Sequence, residues 1–372
     1  MPDIEFRMFF NNKPATREQL DSVEEIIVEQ EVDMAWEARI KIPVCVDEKG
    51  NWTGVDKDFM SPFSQTRVEI KIDKNPFVAL IDGPIVEIDN PMDSTPGKSF
   101  ITLVVQDDST YLNREESIKL FENKSDHEIA RQIFLDTEHI ASTDIETTPP
   151  PAGDIPPVEI QRGTQMQILR KLAKRQGMHA YVLPGDSPGK SIGCFKSFPT
   201  QTDGLPSLVL LGPSRNMDNF NPKNDAQSPS TFKASTVNII DKKIITKTSR
   251  FSDIDLLGEE PGFEDKSKTS SHFLSHYQCN PVDLERAVAA EAYNSSFSFE
   301  ATGRVLDLSY CGVLLPYRVV TIEGVNNRLK GNYLISRVTH ILTRSTYSQS
   351  FTVMRNARSA SGDSGNPARR IF

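Results

Sequence analysis

The sequence predicts an α+β protein that is mainly β, with a strand-rich region at each end of the chain and a mixed α+β region between them. Apolar and polar residues alternate through much of residues 1–112 and again through residues 295–356, and this period of two is typical of half-buried strands. Helix-type patterns lie between these regions. Because helices and strands do not alternate regularly along the chain, the order disfavours a Rossmann or TIM-barrel fold.

Length and composition narrow the possibilities. A chain of 372 residues is long enough for two or three domains, and 37% hydrophobic residues suffice for packed cores. The sequence has no run of 18 apolar residues and no secretion-signal pattern at its start, so we expect no membrane span. The formal net charge of −9 argues against a surface for specific nucleic-acid binding.

The cysteines are scattered along the chain and form no CxxC pair. A chain of this length does not need disulfides to stabilise its core, so we expect reduced thiols and folding in a cytoplasm. The four residues are Cys45, Cys194, Cys279 and Cys311.

The first strand-rich region, residues 1–112, is predicted to hold about six strands. Its clearest alternation covers residues 32–44 and predicts one long strand. Residues 78–88 are interrupted by Asp82-Gly83-Pro84 and predict two strands that meet at a turn. Short strands with turns between them indicate a small antiparallel barrel or sandwich.

The middle region, residues 113–294, is predicted to combine helices, strands and loops. Its first two helices each begin at a capping box, in which Ser or Thr precedes Glu or Gln by three residues. These helices are 125–135 with Ser125 and Glu128, and 165–176 with Thr164 and Gln167.

Other segments are assigned from composition. Pro281 favours the first turn of a third helix. The remaining predictions are a stiff Pro-rich linker at 147–157, loop insertions at 184–235 and 252–271, closing strands at 295–356 and a flexible basic tail at 357–372.

One group of residues has the spacing of a weak metal site. His272, His276 and Cys279 follow the pattern H-x3-H-x2-C, and the two histidines would share a face if the segment were helical. No fourth ligand lies nearby in the sequence. Ordinary residues flanking a helix explain the pattern better.

Two charged groups have both a functional and an ordinary explanation. Asp107-Asp108 ends a strand, where paired acids serve general acid/base chemistry or bind a hard cation, although Asp is also common in turns. The second helix carries a basic face that either contacts an anionic partner or is a solvated surface. That face is formed by Arg170, Lys171, Lys174 and Arg175.

The signatures of nucleotide binding, zinc proteolysis and serine hydrolysis (GxxxxGK[ST], GxGxxG before a helix, HExxH and GxSxG) do not occur. The sequence therefore predicts no catalytic residue and no cofactor.

Two blocks of the sequence resemble phage late-control D proteins and VgrG proteins. The first is Arg162–Val182, in which a helix, a glycine and an aromatic strand follow one another. The second is Gly312–Asn356, which is similar to the closing strands of that family. The landmarks of the second block are Gly331-Asn332-Tyr333, Val338-x-His340, Tyr347, Phe351 and Arg355-Asn356.

The resemblance implies a structural baseplate hub of a contractile injection system, such as a phage tail, a pyocin or an extracellular injection particle. In that family two antiparallel β-barrels of one chain resemble the tail-tube subunit. The implied barrels are residues 1–112 and the unit closed by residues 295–356, joined by the α+β region. Three chains then present six barrels, so that a homotrimer adapts a sixfold tube to a threefold spike.

The resemblance also implies partners and a place in the cell. The partners are the tail-tube hexamer, a separate trimeric spike protein and baseplate wedge proteins. The place is a virion or tail-like particle assembled in the bacterial cytoplasm. No enzymatic activity is implied, and Tyr333, His340 and Tyr347 are expected to serve packing and hydrogen bonding.

Two alternatives stay open at this point. A tail-associated peptidoglycan hydrolase would place two carboxylates across a cleft. A tail-tube protein would form hexamers with one barrel per chain, although one barrel needs only about 150 residues.

Overall fold

The structure is a computed structural model that describes most of the chain. The described residues are 3–50, 52–53, 58–95, 97–150, 158–228, 230–237, 242–250, 255–262, 270–274, 281–306 and 309–359. The predicted fold class, α+β and mainly β, is confirmed. None of the described helices is long and apolar enough to cross a bilayer.

The first part of the chain consists mainly of antiparallel strands. Its elements are β1 (Ile4–Phe10), β2 (Lys13–Pro14), α1 (Arg17–Ser22), β3 (Glu25–Glu31), β4 (Glu37–Pro43), β5 (Cys45–Val46), β6 (Trp52–Thr53), a 3-10 turn (Asp58–Met60), β7 (Gln65–Ile72), β8 (Val78–Asp89) and β9 (Phe100–Gln106).

The middle part combines helices with short sheets. Its elements are α2 (Ser109–Leu112), β10 (Glu116–Glu122), α3 (Asp126–Leu135), β11 (Ile140–Ile145), β12 (Val158–Thr164), α4 (Gln165–Gln176), β13 (His179–Leu183), β14 (Ser191–Lys196), β15 (Leu208–Val209), β16 (Met217–Asn224), β17 (Ser230–Val237), β18 (Ile244–Arg250), β19 (Glu260–Pro261), β20 (Ser270–Phe273) and α5 (Pro281–Ser295).

The last part returns to strands. Its elements are β21 (Phe299–Val305), β22 (Val319–Glu323), β23 (Gly331–Thr343), β24 (Tyr347–Arg355) and β25 (Ala357–Arg358). The predicted flexible tail therefore begins with two residues that form a strand, because β25 pairs with β19. Residues 360–372 lie outside the described part of the chain.

The two strand-rich ends of the chain belong to one 13-stranded sheet. Its main path runs β16-β21-β24-β23-β3-β4-β9-β8-β7-β1-β2, and β22 and β15 branch from β23. The strands β3 and β23 join the two halves as an antiparallel pair in which His340 lies opposite Val28. We call the β3–β23 pair the seam. Over the described strands the path is open, with ends at β16 and β2.

Five smaller sheets accompany the large sheet in the described residues, and two of them are the short strand pairs β5–β6 and β19–β25. The strands β11, β14 and β13 form a sheet that packs with α3 and α4 around their own apolar core. A three-stranded sheet of β18, β17 and β20 packs on α5 through Ala234, Leu284 and Val288. The strands β10 and β12 form an antiparallel two-stranded ribbon beside α4.

The predicted long strand at residues 32–44 is wrong. The chain forms a hairpin instead, in which β3 and β4 are joined by a turn that contains Asp33 with φ of 60°. Aspartate tolerates this left-handed conformation better than most residues. The alternation continues through the turn, so hydrophobic periodicity alone does not reveal it.

The predicted break at Asp82-Gly83-Pro84 is also wrong. Residues 78–89 form one strand, β8, whose first half pairs with β7 and whose second half pairs with β9. At Gly83 a Cβ atom would lie 1.8 Å from the carbonyl oxygen of Gln106. The glycine therefore permits a close backbone approach where the strand changes partners, rather than a turn.

Both capped helices are confirmed. Thr164 and Gln167 form the capping box of α4, and Gly177 ends that helix in the left-handed conformation. Ser125 and Glu128 form the box of α3. Local capping chemistry acts within a few residues, which explains why the sequence predicts these helix starts well.

Candidate functional site

Around the seam the 13-stranded sheet has a buried face and an open face, whereas β7 is buried on both faces. Because strand side chains alternate between faces, residues paired across the strands form rows on one side. One buried row is Gln349, His340, Val28, Ala38, Val105 and Ile85. One row on the open face is Arg304, Ser350, Thr339, Glu29, Glu37 and Gln106.

The open face is polar and rich in ion pairs that water can reach. Arg337 lies 3.5 Å from Glu29 and 3.8 Å from Glu31, and Arg39 lies 3.0 Å from Glu37. Exposed pairs of this kind add little to stability. This surface crosses the seam without a break, so both strand-rich ends of the chain contribute to it.

A buried chain of hydrogen bonds fixes the seam from the other side. The Tyr347 hydroxyl lies 2.9 Å from Nδ1 of His340, and Nε2 of His340 lies 3.1 Å from Oε1 of Gln30. The Gln30 side-chain nitrogen donates to the Leu80 carbonyl at 2.7 Å. Since Gln30 presents its oxygen to the imidazole, the His340 Nε2 carries the proton and the Tyr347 hydroxyl donates to Nδ1.

This arrangement requires a neutral imidazole. Burial lowers the pKa of His340 to about 3, because the charged form would lose its hydration in the core. Burial also raises the pKa of the Tyr347 hydroxyl well above 10. The pair is therefore a fixed hydrogen-bonding unit, as expected for packing residues, and it does not titrate near neutral pH.

A second buried polar cluster joins the first strand-rich region to the middle region. Arg67 Nε donates to Glu69 at 2.6 Å, and Arg67 Nη1 donates to Asp82 at 2.9 Å. The backbone N–H of Gly189 also donates to Asp82, at 2.9 Å. All three ionic side chains are at least 96% buried. Because each charge has its counter-charge and hydrogen bonds, the cluster is stable as a unit.

Asp107 and Asp108 continue this cluster and do not face a cleft. Asp107 accepts from the backbone N–H of Trp36 at 2.6 Å, while Asp108 accepts from Ser191 at 2.6 Å and from Gln65 at 2.9 Å. Burial raises the pKa of Asp107 to about 6 and that of Asp108 to about 7. The two acids thus hold strands and loops together, in agreement with the turn interpretation.

The basic face of α4 is occupied by contacts within the chain. Lys171 pairs with Glu159 at 2.6 Å, Lys174 pairs with Glu291 at 2.9 Å, and Arg170 donates to the Asp33 carbonyl at 2.8 Å. Arg175 pairs with Asp126 and Glu159. These pairs connect α4 to α3, α5, β12 and the β3–β4 turn, so this face is neither a free anion site nor a purely solvated surface.

The β3–β4 turn contacts two other parts of the fold. Asp33 accepts from Nδ1 of His179 at 2.9 Å, and its backbone N–H donates to the Tyr317 hydroxyl at 2.8 Å. The Tyr317 ring stacks on Tyr181 with centroids 3.6 Å apart, and Phe198 stacks on His179 at 3.8 Å. This aromatic group packs the middle region against the C-terminal strands.

The landmarks of the C-terminal block are tertiary contacts. Arg355 is buried, donates to the Lys330 carbonyl at 2.8 Å and lies over the Tyr333 ring. Asn356 accepts from the backbone N–H of Leu257 at 2.9 Å. At Gly331, which has φ of 130°, a Cβ atom would lie 2.7 Å from the Arg355 guanidinium. A Cβ at this position would therefore require the Arg355 guanidinium to move.

The weak metal candidates do not form a site in the described residues. His272 is exposed on β20 and lies near the Phe232 ring, while His276 and Cys279 fall outside the described part of the chain. Nowhere in the described ranges do three His, Cys, Asp or Glu side chains come together as metal ligands.

Sequence reasoning missed several residues of these clusters, among them Gln30 and Arg67. A signal for Gln30 exists, because it occupies the third buried position of β3 after Ile26 and Val28. A polar residue at such a position is expected to have a buried partner. No comparable signal marks Arg67, which donates to the Ser187 carbonyl at 3.3 Å and whose partner Asp82 accepts from the Gly189 N–H.

Comparison with known proteins gives a clear result for the fold. No protein-family model matches the sequence, and no curated protein matches it significantly. Among solved structures, the 43 kDa tail protein of prophage MuSo2 from Shewanella oneidensis is similar with a TM-score of 0.64 at 14% identity, covering 95% of this chain and 99% of that one.

Two further structures agree. A tail protein from Neisseria meningitidis MC58 has a TM-score of 0.62 at 12% identity, with 95% of this chain and 96% of that chain covered. The Escherichia coli c3393 protein, a type VI secretion component described as similar to T4 tail proteins gp27 and gp5, has a TM-score of 0.54 at 9% identity, with 95% and 76% covered. The chain therefore has the fold of phage tail and VgrG-like proteins, as the sequence resemblance predicts.

Proposed function

We propose that this chain is a structural baseplate hub of a contractile injection system. Three copies form a ring that joins a sixfold tail tube to a threefold spike, which is a separate protein. Wedge proteins contact the outside of the ring, and the particle is assembled in the bacterial cytoplasm. The tail-protein fold over 95% of the chain supports this proposal.

The observation that carries the proposal is the seam. It unites strands from the two ends of the chain into one sheet, with a buried face on one side and a largely polar face on the other. We infer that the halves, residues 1–112 and the unit closed by residues 295–356, each occupy the place of one tube subunit. Three chains then offer six such places, which matches the six subunits of a tube ring.

The open face suits the wall of an axial channel. Many of its residues are Ser, Thr or ion-paired residues such as Glu29 and Arg337. The apolar residues of this face at the seam, Ile27 opposite Ile341, are only partly exposed and have charged neighbours such as Glu29 and Arg39, unlike the apolar, charge-depleted centre of a stable protein interface. A polar face of this kind remains hydrated and lets a payload pass without adhering.

The proposed hub has no catalytic role. The strongest acid pair of the sequence, Asp107-Asp108, is buried and its oxygens accept hydrogen bonds from Trp36, Gln65 and Ser191. A hydrolase needs carboxylates that reach substrate across a cleft. A tube subunit would use one strand-rich half, whereas this chain supplies two.

The decisive experiment is a reconstruction of the particle that contains this protein, combined with native mass spectrometry of the chain co-expressed with its spike. We expect three copies on the particle axis, between tube and spike. Six copies in one ring would identify a tube protein. A monomer that clears peptidoglycan in a zymogram, and is absent from the axis, would identify a hydrolase.

A further inference from the structure

The β10–β12 ribbon carries an exposed apolar surface. The register places Leu120 opposite Ile160 and Glu122 opposite Val158, so their side chains share one face. A contiguous apolar surface on the order of a few hundred Å² marks an interaction site. The exposed fractions are 80% for Ile118, 57% for Leu120, 50% for Val158 and 37% for Ile160.

The other face of the ribbon is already covered. Phe121 is 2% exposed and belongs to the core that α3 and α4 share, and Gln161 is 1% exposed. Glu159 pairs with Lys171 on α4. The ribbon is therefore held firmly from behind, and its aliphatic face points away from the rest of the chain.

A second exposed apolar surface lies on the sheet of β17, β18 and β20. Helix α5 covers the face that contains Ala234, so the residues of opposite parity face outward. On that outer face Val237 lies opposite Ile244, and Phe273 lies beside Lys233. The exposed fractions are 56% for Val237, 73% for Ile244 and 66% for Phe273.

The two surfaces have opposite charges. The ribbon face carries Glu116 and Glu122 with one arginine, Arg162. The outer face of the β17–β18–β20 sheet carries Lys233 and Arg250 and no acidic residue among its described positions. An aliphatic surface with acidic ends thus matches an aliphatic surface with basic residues, which favours this pairing over others.

Pairing of the ribbon with itself is less favourable. An antiparallel contact between two β10 edges centred on Lys119 would place Glu116 of one copy opposite Glu122 of the other, twice. Like charges directly opposite each other destabilise a strand pair. A heterologous contact between different surfaces avoids this repulsion and closes into a ring when the rotation permits.

We infer that the β10–β12 ribbon of one chain docks onto the outer face of the β17–β18–β20 sheet of a second copy. This inference rests on the proposed hub, for which it names the surfaces that join neighbouring copies in the ring. The partner that covers the apolar face of the ribbon is therefore another molecule of this same chain.

Cross-linking between two proteins that each carry one introduced, exposed cysteine tests the contact. In full-length chains that carry Cys45→Ser, Cys279→Ser and Cys311→Ser, one protein receives Leu120→Cys and the other Phe273→Cys. Cys194 is buried and is retained. On mild oxidation we expect the mixed disulfide to form about tenfold faster than either homodimer. The control replaces Leu120→Cys by Leu211→Cys, another exposed leucine outside both surfaces.

Charge exchange tests the same contact independently. Glu116→Lys with Glu122→Lys on one protein, or Lys233→Glu with Arg250→Glu on the other, should slow the mixed cross-link about tenfold, and combining both pairs should restore it. Circular dichroism of each variant shows whether it folds. If the combined variant stays slow, or if the Leu211 control cross-links equally fast, the contact is wrong.

The outcomes separate this inference from the hub proposal. Three copies on the particle axis without a 120–273 cross-link would reject the contact and keep the hub. A specific cross-link in a chain that is absent from the axis would keep the contact between copies and reject the hub. Faster cross-linking of Leu120→Cys with itself would assign the ribbon to a symmetric dimer and overturn the inference.

Discussion

Gln30 Oε1 accepts a hydrogen bond from Nε2 of His340 across the seam, at 3.1 Å, and both residues are completely buried. The two residues are 310 positions apart in the sequence. Their contact joins the strand that follows the first helix to the longest strand near the end of the chain. Since it lies where the halves of the sheet meet, it is a direct probe of whether those halves act as one unit.

Replacing Gln30 should weaken the fold. Gln30→Leu leaves the His340 Nε2–H and the Leu80 carbonyl buried without partners, and we expect a loss of about 1–3 kcal/mol in the free energy of unfolding. Urea titration measures it. The control is Glu29→Gln on the open face of the same strand, which should change stability by less than about 0.5 kcal/mol. Equal effects of both substitutions would contradict the buried role of Gln30.

Acid should destabilise the protein through His340. The pKa of His340 is about 3 in the folded chain, and the ordinary pKa of histidine is 6.5, so between these values the unfolded chain binds more protons than the folded one. The contribution of the neutral His340 to the free energy of unfolding is complete above pH 6.5, and it falls by about 1.4 kcal/mol for each pH unit below 6.5. In His340→Gln, the free energy of unfolding should no longer fall in this way as the pH is lowered. In His272→Gln, at an exposed position, it should still fall. Parallel slopes for both variants would argue against this assignment.

The titration of Asp108 should make stability depend on pH in the opposite sense to that of His340. Its pKa is raised from 3.8 to about 7, so the folded chain binds more protons than the unfolded one in that interval. The stability that the raised pKa of Asp108 contributes is fully present below pH 3.8 and is lost as the pH rises to 7. Asp108→Asn removes the titration, so the variant should gain stability relative to the natural protein between pH 5 and about 8. Melting temperatures across this range provide the measurement, and a difference that does not vary with pH would refute it.

The buried ion cluster should be sensitive to loss of its single fully buried arginine. Arg67→Met removes the arginine that pairs with Asp82 and leaves Glu69 with Arg7 as its counter-charge, and we expect a loss of about 3–5 kcal/mol. Arg39→Met is the matched control, because it breaks an exposed pair with Glu37 and should cost at most about 1 kcal/mol. Chemical denaturation measures the loss of stability in both variants. If the loss for Arg67→Met is as small as that for Arg39→Met, the buried cluster does not stabilise the fold.

Gly331 should tolerate no side chain. Gly331→Ala combines a positive φ with a Cβ 2.7 Å from the Arg355 guanidinium, whereas Gly204→Ala combines a positive φ with open space. Backbone strain alone costs roughly 1–3 kcal/mol, so the excess for Gly331→Ala measures the clash. Thermal unfolding should show the larger loss at Gly331. If the two alanine variants lose the same stability, the arginine does not depend on this glycine.

Local chemistry explains which elements the sequence predicts well. The capping boxes at Ser125 and Thr164 and the glycine at 177 each act within a few residues, so the bounds of α3 and α4 follow from the sequence. The alternation of β24 likewise predicts a strand with one buried face. The turn at Asp33 is missed because the residues on both sides of it keep the same alternation.

The sequence by itself determined that this protein is mainly β with strand-rich ends, that two capped helices lie between them, and that it resembles tail hub proteins. Only the tertiary structure decided that the two ends share one sheet, that Gln30 meets His340, and that the basic residues of α4 are used within the chain. Hydrophobic periodicity and helix capping depend only on residues that are close to one another in the sequence. Strand partners and buried hydrogen bonds depend on residues hundreds of positions away, and these are brought together only when burial of the whole sheet selects one register.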